Sequence, residues 1–328
     1  MVLLIKIFLV DETFIIIIGG EVYSEGVPTI ELISTNNSCQ IEDFEKSVTD
    51  APMVFLTPIH EELLVCGGSN NKKKCKTLDG NGKWDDFKEV QSRNDSKLFS
   101  PRRFSAVATT KDGSFIFGGS SESTSSTYEY MKESKKNWTP GKELIPNGFT
   151  QGCAVAVSDN EIWLIGGKEA DQKTRILPFF TNNHTFANNS LPPPLKDGRH
   201  GHRCSLLPDK SGVMVTGGPN IRSTEIINLK NRTSTRSGRM KEERFLHGIG
   251  TLIIDNAPTL VVFGGSYPKK NANNDTVHHY LDTFEKYDQA NEKWEFWNGA
   301  RLNQTKRDFG FATLKPSISS RLCKKPKN

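Results

Sequence analysis

The chain has 328 residues, of which 35% are hydrophobic, with 27 glycines, 16 prolines and a formal net charge of +5. That length suits two ordinary domains or one large all-β domain, and it suffices for a substantial core. No run reaches the roughly 18 apolar residues that span a bilayer, and the glycine- and proline-rich composition favours short strands and frequent turns over long helices.

In chain order, residues 1–11 open with MVLLIKIFLV, which resembles the apolar region of a signal peptide. Lys6 interrupts it, and neither a basic start nor an A-x-A cleavage site accompanies it, so a stray strand is the alternative reading. Next comes TFIIII at 13–18, the first of six short apolar runs that end in a glycine doublet. The doublets lie at 19–20, 67–68, 118–119, 166–167, 217–218 and 264–265, so successive spacings are 48, 51, 48, 51 and 47 residues. Such an even interval is an internal repeat.

Each repeat carries matching parts. A small or apolar run precedes the doublet, as in Phe104 to Thr109, Gly152 to Val157, Cys204 to Leu207 and Gly248 to Ile254. An alternating run follows it, such as STYEYM at 126–131, STEIIN at 223–228 and DTFEKYD at 282–288, and then an aromatic at Trp84, Trp138, Phe186 or Trp294. Four short strands in about 50 residues describe one antiparallel sheet. Its two faces are buried only when such sheets stack around an axis. Residues 307–314, RDFGFATL, read as a first strand without a doublet, and a basic tail follows at 316–328.

These residues resemble the kelch repeat: an Arg-containing turn, a small or apolar strand, a strand ending in Gly-Gly, an alternating strand with Glu and Tyr, and then Trp. PRRFSAVATT, FIFGG, TYEY and NW in unit three, and EERFLHGIGTL, LVVFGG, DTFEKYD and KW in unit six, carry it best. The resemblance implies an all-β, six-bladed β-propeller over 12–315, with blade boundaries near 45, 92, 141, 190, 238 and 299. It also implies that 307–314, rather than 3–10, completes the first blade. The layout is similar to that of secreted invertebrate kelch-like proteins.

The resemblance further implies a non-enzymatic binding module, because kelch partners sit on the face built by the loop before each first strand and the loop after each doublet. Those loops carry Arg103, Arg199, His200, Arg244 and Arg307 in the first set, and Lys168, Arg222 and Lys269 in the second. Arginine forks suit carboxylate or sulfate, so a protein with an acidic loop or an anionic glycan is the expected partner. The competing reading makes the arginines a fold feature packed between blades. An intracellular adaptor for ubiquitination is the alternative function, and a propeller oxidase or sugar isomerase comes after it.

Cysteines and sequons bear on the compartment. Cys66 ends one strand and Cys75 begins the next, an arrangement within disulfide reach. Cys39 and Cys323 form a second candidate pair. Cys153 and Cys204 each lie thirteen residues before a doublet; equal register would point them the same way around the ring, so both are expected as buried thiols. N-x-S/T sequons occur at Asn36, Asn94, Asn137, Asn183, Asn188, Asn231, Asn274 and Asn303. Together these features favour an extracellular protein over a cytoplasmic one; a monomer is expected.

Enzyme signatures are sparse. His200-x-His202 would share one face of a strand, but His202 and His247 fall at the small-or-His position of the kelch first strand, so neither a metal site nor a cofactor is expected. Paired-carboxylate, Ser-His-Asp and P-loop signatures are not discernible. Basic residues are dispersed rather than interleaved with aromatics, which disfavours nucleic acid.

Overall fold

The computed structural model describes residues 13–314 except 24, 28, 36–37, 41–51, 57–61, 69–74, 79–83, 87–97, 121, 133–136 and 189–190. The chain is a six-bladed β-propeller. From the axis outward, blade one consists of Gly310–Leu314, Phe14–Ile18, Ile30–Ile33 and Ser38–Gln40, and blade two of Pro52–Leu56, Leu63–Gly67, Cys75–Leu78 and Trp84–Asp86. Blade three comprises Ala106–Thr110, Gly113–Phe117, Tyr128–Lys132 and Trp138–Pro140, and blade four Cys153–Ala156, Glu161–Ile165, Ile176–Phe180 and Thr185–Phe186. Blade five is built from Arg203–Leu206, Gly212–Thr216, Ser223–Asn228 and Ser234–Arg239, and blade six from Gly248–Ile254, Ala257–Phe263, Phe284–Asp288 and Lys293–Trp297. The strand Gly310–Leu314 pairs antiparallel with Phe14–Ile18 along its whole length, which closes the ring as the repeat predicts.

The core has no single centre. Six apolar clusters lie one at each blade interface. Successive strand residues point to opposite faces, so Phe14, Ile16 and Ile18 pack toward blade two while Ile15 and Ile17 pack toward blade six. This is why the second strands are continuously apolar: both of their faces are inside.

The doublets are the contact points between blades. All twelve glycines have positive φ, which side chains rarely adopt. At Gly118 and Gly217 a Cβ would come within 1.9 and 2.3 Å of the carbonyl oxygens of Phe149 and Arg244 in the following blade. The second glycine donates to that same carbonyl: Gly119 to Phe149, Gly167 to Arg199, Gly218 to Arg244 and Gly265 to Lys306, at 2.8–3.0 Å.

Two disulfides are present among the described residues. Cys66–Cys75 joins directly paired residues of neighbouring strands, as expected. The other, Cys153–Cys204, corrects the expectation of two thiols. The equal count of thirteen residues misleads because the turn after the first strand is one residue longer in blade five. Cys153 therefore pairs with Ile165, immediately before its doublet, whereas Cys204 pairs with Val215, one step further along. That step turns the two side chains toward each other across the gap, with Cα atoms 6.0 Å apart. The proposed Cys39–Cys323 pair lies outside the described residues.

The loop after the sixth doublet forms a two-stranded hairpin, Ser266–Lys270 with Thr276–Tyr280, and a smaller one follows the first doublet, Glu21–Val22 with Glu25–Gly26.

Candidate functional site on the doublet face and its channel

The arginines of the first loops divide into two groups. Arg102, Arg199 and Arg244 are fully buried. Each donates from Nε to a buried glutamate on the third strand of its own blade, Glu129, Glu225 and Glu285, at 2.8, 3.3 and 3.1 Å. Each also donates to the carbonyl of the first doublet glycine, at Gly118, Gly217 and Gly264. The glutamates in turn accept the backbone N–H groups of Phe99 and Ser100, Lys196 and Asp197, and Lys241 and Glu242. Blade one keeps the device with Lys306 paired to Glu31, which accepts Asn303 N–H. Arg199 and Arg244 are therefore structural staples, and the expectation that they reach a partner is corrected: their donors are consumed inside the blade. An Arg before the strand and a Glu on the third strand, recurring together, were the sequence signal for this.

The other predicted residues stay at the surface of this face. Lys168 and Lys269 are exposed. Arg222 is half-buried and donates to Met240 O. His200 packs edge-on against Phe245, and burial together with Lys173 and Lys168 keeps its pKa below the ordinary histidine value. Its neighbour two residues on, His202, is buried instead, and His247 donates or accepts at Thr216; burial and nearby arginines hold both well below the usual value, so they are neutral.

Arg103 and Arg307 belong to a charged chain that leads from the axis to the rim. Arg103 lies 3.4 Å from both Asp308 and Glu21. Arg307 donates to Glu21 at 2.7 Å and to Ser266 Oγ at 3.2 Å, and its guanidinium lies over Tyr280. Tyr280 meets Tyr23 edge-on, joining the two hairpins, and Tyr23 is 78% exposed.

At the axis, sequence reasoning missed a ring. Two residues before the first strands of blades three, four, five, six and one the backbone turns left-handed, at Phe104, Gln151, Gly201, Leu246 and Asp308 (φ 53–57°). These residues join hand to hand: Gln151 N–H donates to Phe104 O, Gly201 to Gln151, Leu246 to Gly201 and Asp308 to Leu246, at 2.6–3.1 Å. Positive φ in non-glycine residues is a strained state that surrounding structure must hold. The ring has no residue-type signature, since backbone contacts alone define it.

Below the ring lies a central channel of about 610 Å³, lined by the innermost strands of all six blades. Its walls are largely apolar, with Asp308 and Arg203 near the mouth. Burial pushes the Asp308 carboxyl up to about 6, against the opposing pull of Arg203 and Arg103 and with a further push from Glu21. Burial lowers the Arg203 guanidinium from its ordinary value, partly offset by Asp308.

Of the sequons, Asn183, Asn188, Asn231, Asn274 and Asn303 are exposed and Asn137 is half-buried, while Asn36 and Asn94 lie outside the described residues. Among the described residues no helix is long and apolar enough to cross a membrane. A scan against protein-family models gave no match, and a search of curated proteins also found none.

Proposed function

We propose that this propeller is a non-enzymatic binding module of the kelch type, which holds a protein or anionic glycan on its doublet face. The observation that carries the reading is the asymmetry of that face. Two hairpins rise beside the channel mouth and present Tyr23 with Lys269 and Lys270, while Lys168 and the half-exposed Arg103 and Arg222 stand around the rim. Exposed aromatics beside basic groups are the composition of interface hot spots. A rigid scaffold with recognition on its loops is the arrangement in which such residues act. Two disulfides and five exposed sequons support an extracellular setting, where thiols are oxidised and asparagines glycosylated.

The test is retention on immobilised heparin, with a sulfated or acidic peptide array alongside. Reversal of Lys168, Lys269 and Lys270 to Glu should shift elution to markedly lower salt, and Tyr23→Ala should reduce peptide binding. Unchanged elution of the triple variant would sink the anionic-partner reading.

A further inference from the structure

We propose that the central channel is a binding site for a small amphipathic carboxylate, whose acid group pairs with Arg203 and whose apolar body lies along the innermost strands. This site is separate from the loop-built rim.

The position of Arg203 is the first observation. It pairs with Thr216, the residue immediately before its doublet. At the same register blades three, four, six and one carry Ala106, Cys153, Gly248 and Gly310, and blade two carries the uncharged Met53. The fold thus accepts very small side chains there, and nothing in the repeat requires a guanidinium. Arg203 nevertheless reaches into the channel, where it lies over the Phe311 ring at 5.8 Å and donates to His202 O at 3.2 Å. Among the described residues it has no carboxylate within ion-pair distance, in contrast with Arg102, Arg199 and Arg244, whose glutamates lie within 2.8–3.1 Å. A desolvated guanidinium with donors to spare is a receptor for an anion.

The second observation is the cavity itself. About 610 Å³ is within the range of small-molecule sites, which combine apolar walls with a few placed polar groups. Here Val54, Val107, Val155, Leu206, Ile249 and Ala312 supply the apolar wall. A five-residue strand rises about 17 Å, enough for an extended chain of roughly ten carbons. A single charged group at one end of an apolar tube selects a ligand with one acidic head and a hydrocarbon body, and disfavours a polyanion.

Asp308 sets how tightly the anion is held. Its carboxyl is buried at the mouth, faced by Arg203, Arg103 and Glu21. When ionised it repels a carboxylate held at Arg203. Binding should therefore strengthen as pH falls through about 6, by at most tenfold per pH unit for one proton taken up.

The experiment is calorimetric titration of the whole protein with sodium decanoate and with decanol, between pH 7.5 and 5.5. One decanoate per chain is expected, with decanol at least tenfold weaker. Arg203→Gln should weaken decanoate roughly tenfold or more, and Asp308→Asn should tighten it at pH 7.5 and flatten the pH dependence. Ala312→Leu, which narrows the channel without touching its charges, keeps the test valid if Arg203→Gln does not fold; it should weaken decanoate and decanol alike. The rim variant with Lys168, Lys269 and Lys270 reversed should bind decanoate as the parent does. No binding, equal binding of decanol, or indifference to Ala312→Leu would overturn the proposal.

Discussion

In blade five, Arg199 and Glu225 are both fully buried, and the glutamate also accepts the N–H groups of Lys196 and Asp197. Blade four has Phe149 where Arg199 would stand and Leu177 in register with Glu225, both inside an apolar cluster. The residue corresponding to Lys196 is Pro146, which has no N–H to satisfy. Three changes have thus occurred together: the cation, the anion and one of the two backbone donors that the anion accepted. Arg175 then covers the turn by donating to the carbonyls of Pro146 and Gly148. The comparison teaches that a buried ion pair can be exchanged for apolar packing when the cation and the anion leave together and a donor that the anion satisfied goes with them.

The strongest way to break this comparison is to remove one member. Glu225→Leu should cost about 3–5 kcal/mol, because Arg199 and two N–H groups lose their acceptor, and urea unfolding would measure it. Grafting the blade-four solution, Lys196→Pro with Arg199→Phe and Glu225→Leu, should recover most of that loss. If the triple variant is no more stable than the single one, the two blades are not alternative solutions to one problem.

The same pair of blades carries the Cys153–Cys204 cross-link, whose partners are 51 residues apart, against 9 for Cys66–Cys75. Loop-closure entropy assigns about 4 kcal/mol to the first and about 3 kcal/mol to the second. Replacing Cys153 and Cys204 with Ser should therefore lower the melting temperature more than replacing Cys66 and Cys75, as calorimetry would show.

Blade one offers a third contrast, with a carboxyl whose ionisation opposes folding. The folded pKa of Asp308, about 6, exceeds the ordinary value near 3.9, so the native state binds more protons between those limits. Stability should fall as pH rises from about 4 to about 6, by roughly 2–3 kcal/mol, and the cost is complete above pH 6. Asp308→Asn should remove this slope and stabilise the protein at pH 7.5 while changing little at pH 4. Unfolding curves at the two pH values would settle it.

The smallest effect belongs to the exposed Arg236–Asp197 pair on blade five. Arg236 is the main reason the Asp197 carboxyl sits at about 2, yet the arginine side chain is solvent-exposed. Arg236→Ala should leave the melting temperature within error while returning Asp197 toward an ordinary carboxylate value by NMR titration.

Much of the architecture was legible because it rests on residue types that nothing else replaces. Gly19 through Gly265 recur because left-handed backbone and close approach exclude side chains, and the apolar strands recur because both faces are inside. The site was less legible. Arg199 and Arg103 occupy neighbouring positions in equivalent loops, and only burial separates a staple from a surface group. Cys153 and Cys204 looked parallel because a one-residue difference in a turn is invisible until strands are paired. Arg203 went unnoticed because its meaning lies in what the other blades have instead, namely alanine, cysteine, glycine and, in blade two, methionine.

The pairing of 310–314 with 14–18 also has a consequence for biosynthesis. The second strand of blade one must wait, its inner edge unpartnered, while nearly 300 residues are made, since its partner lies that far along the chain. An isoleucine-rich edge of that kind is prone to pair with the wrong strand. Ring assembly is accordingly gated by a contact of very long sequence separation, which slows folding and makes the interval before closure the period of greatest need for chaperones.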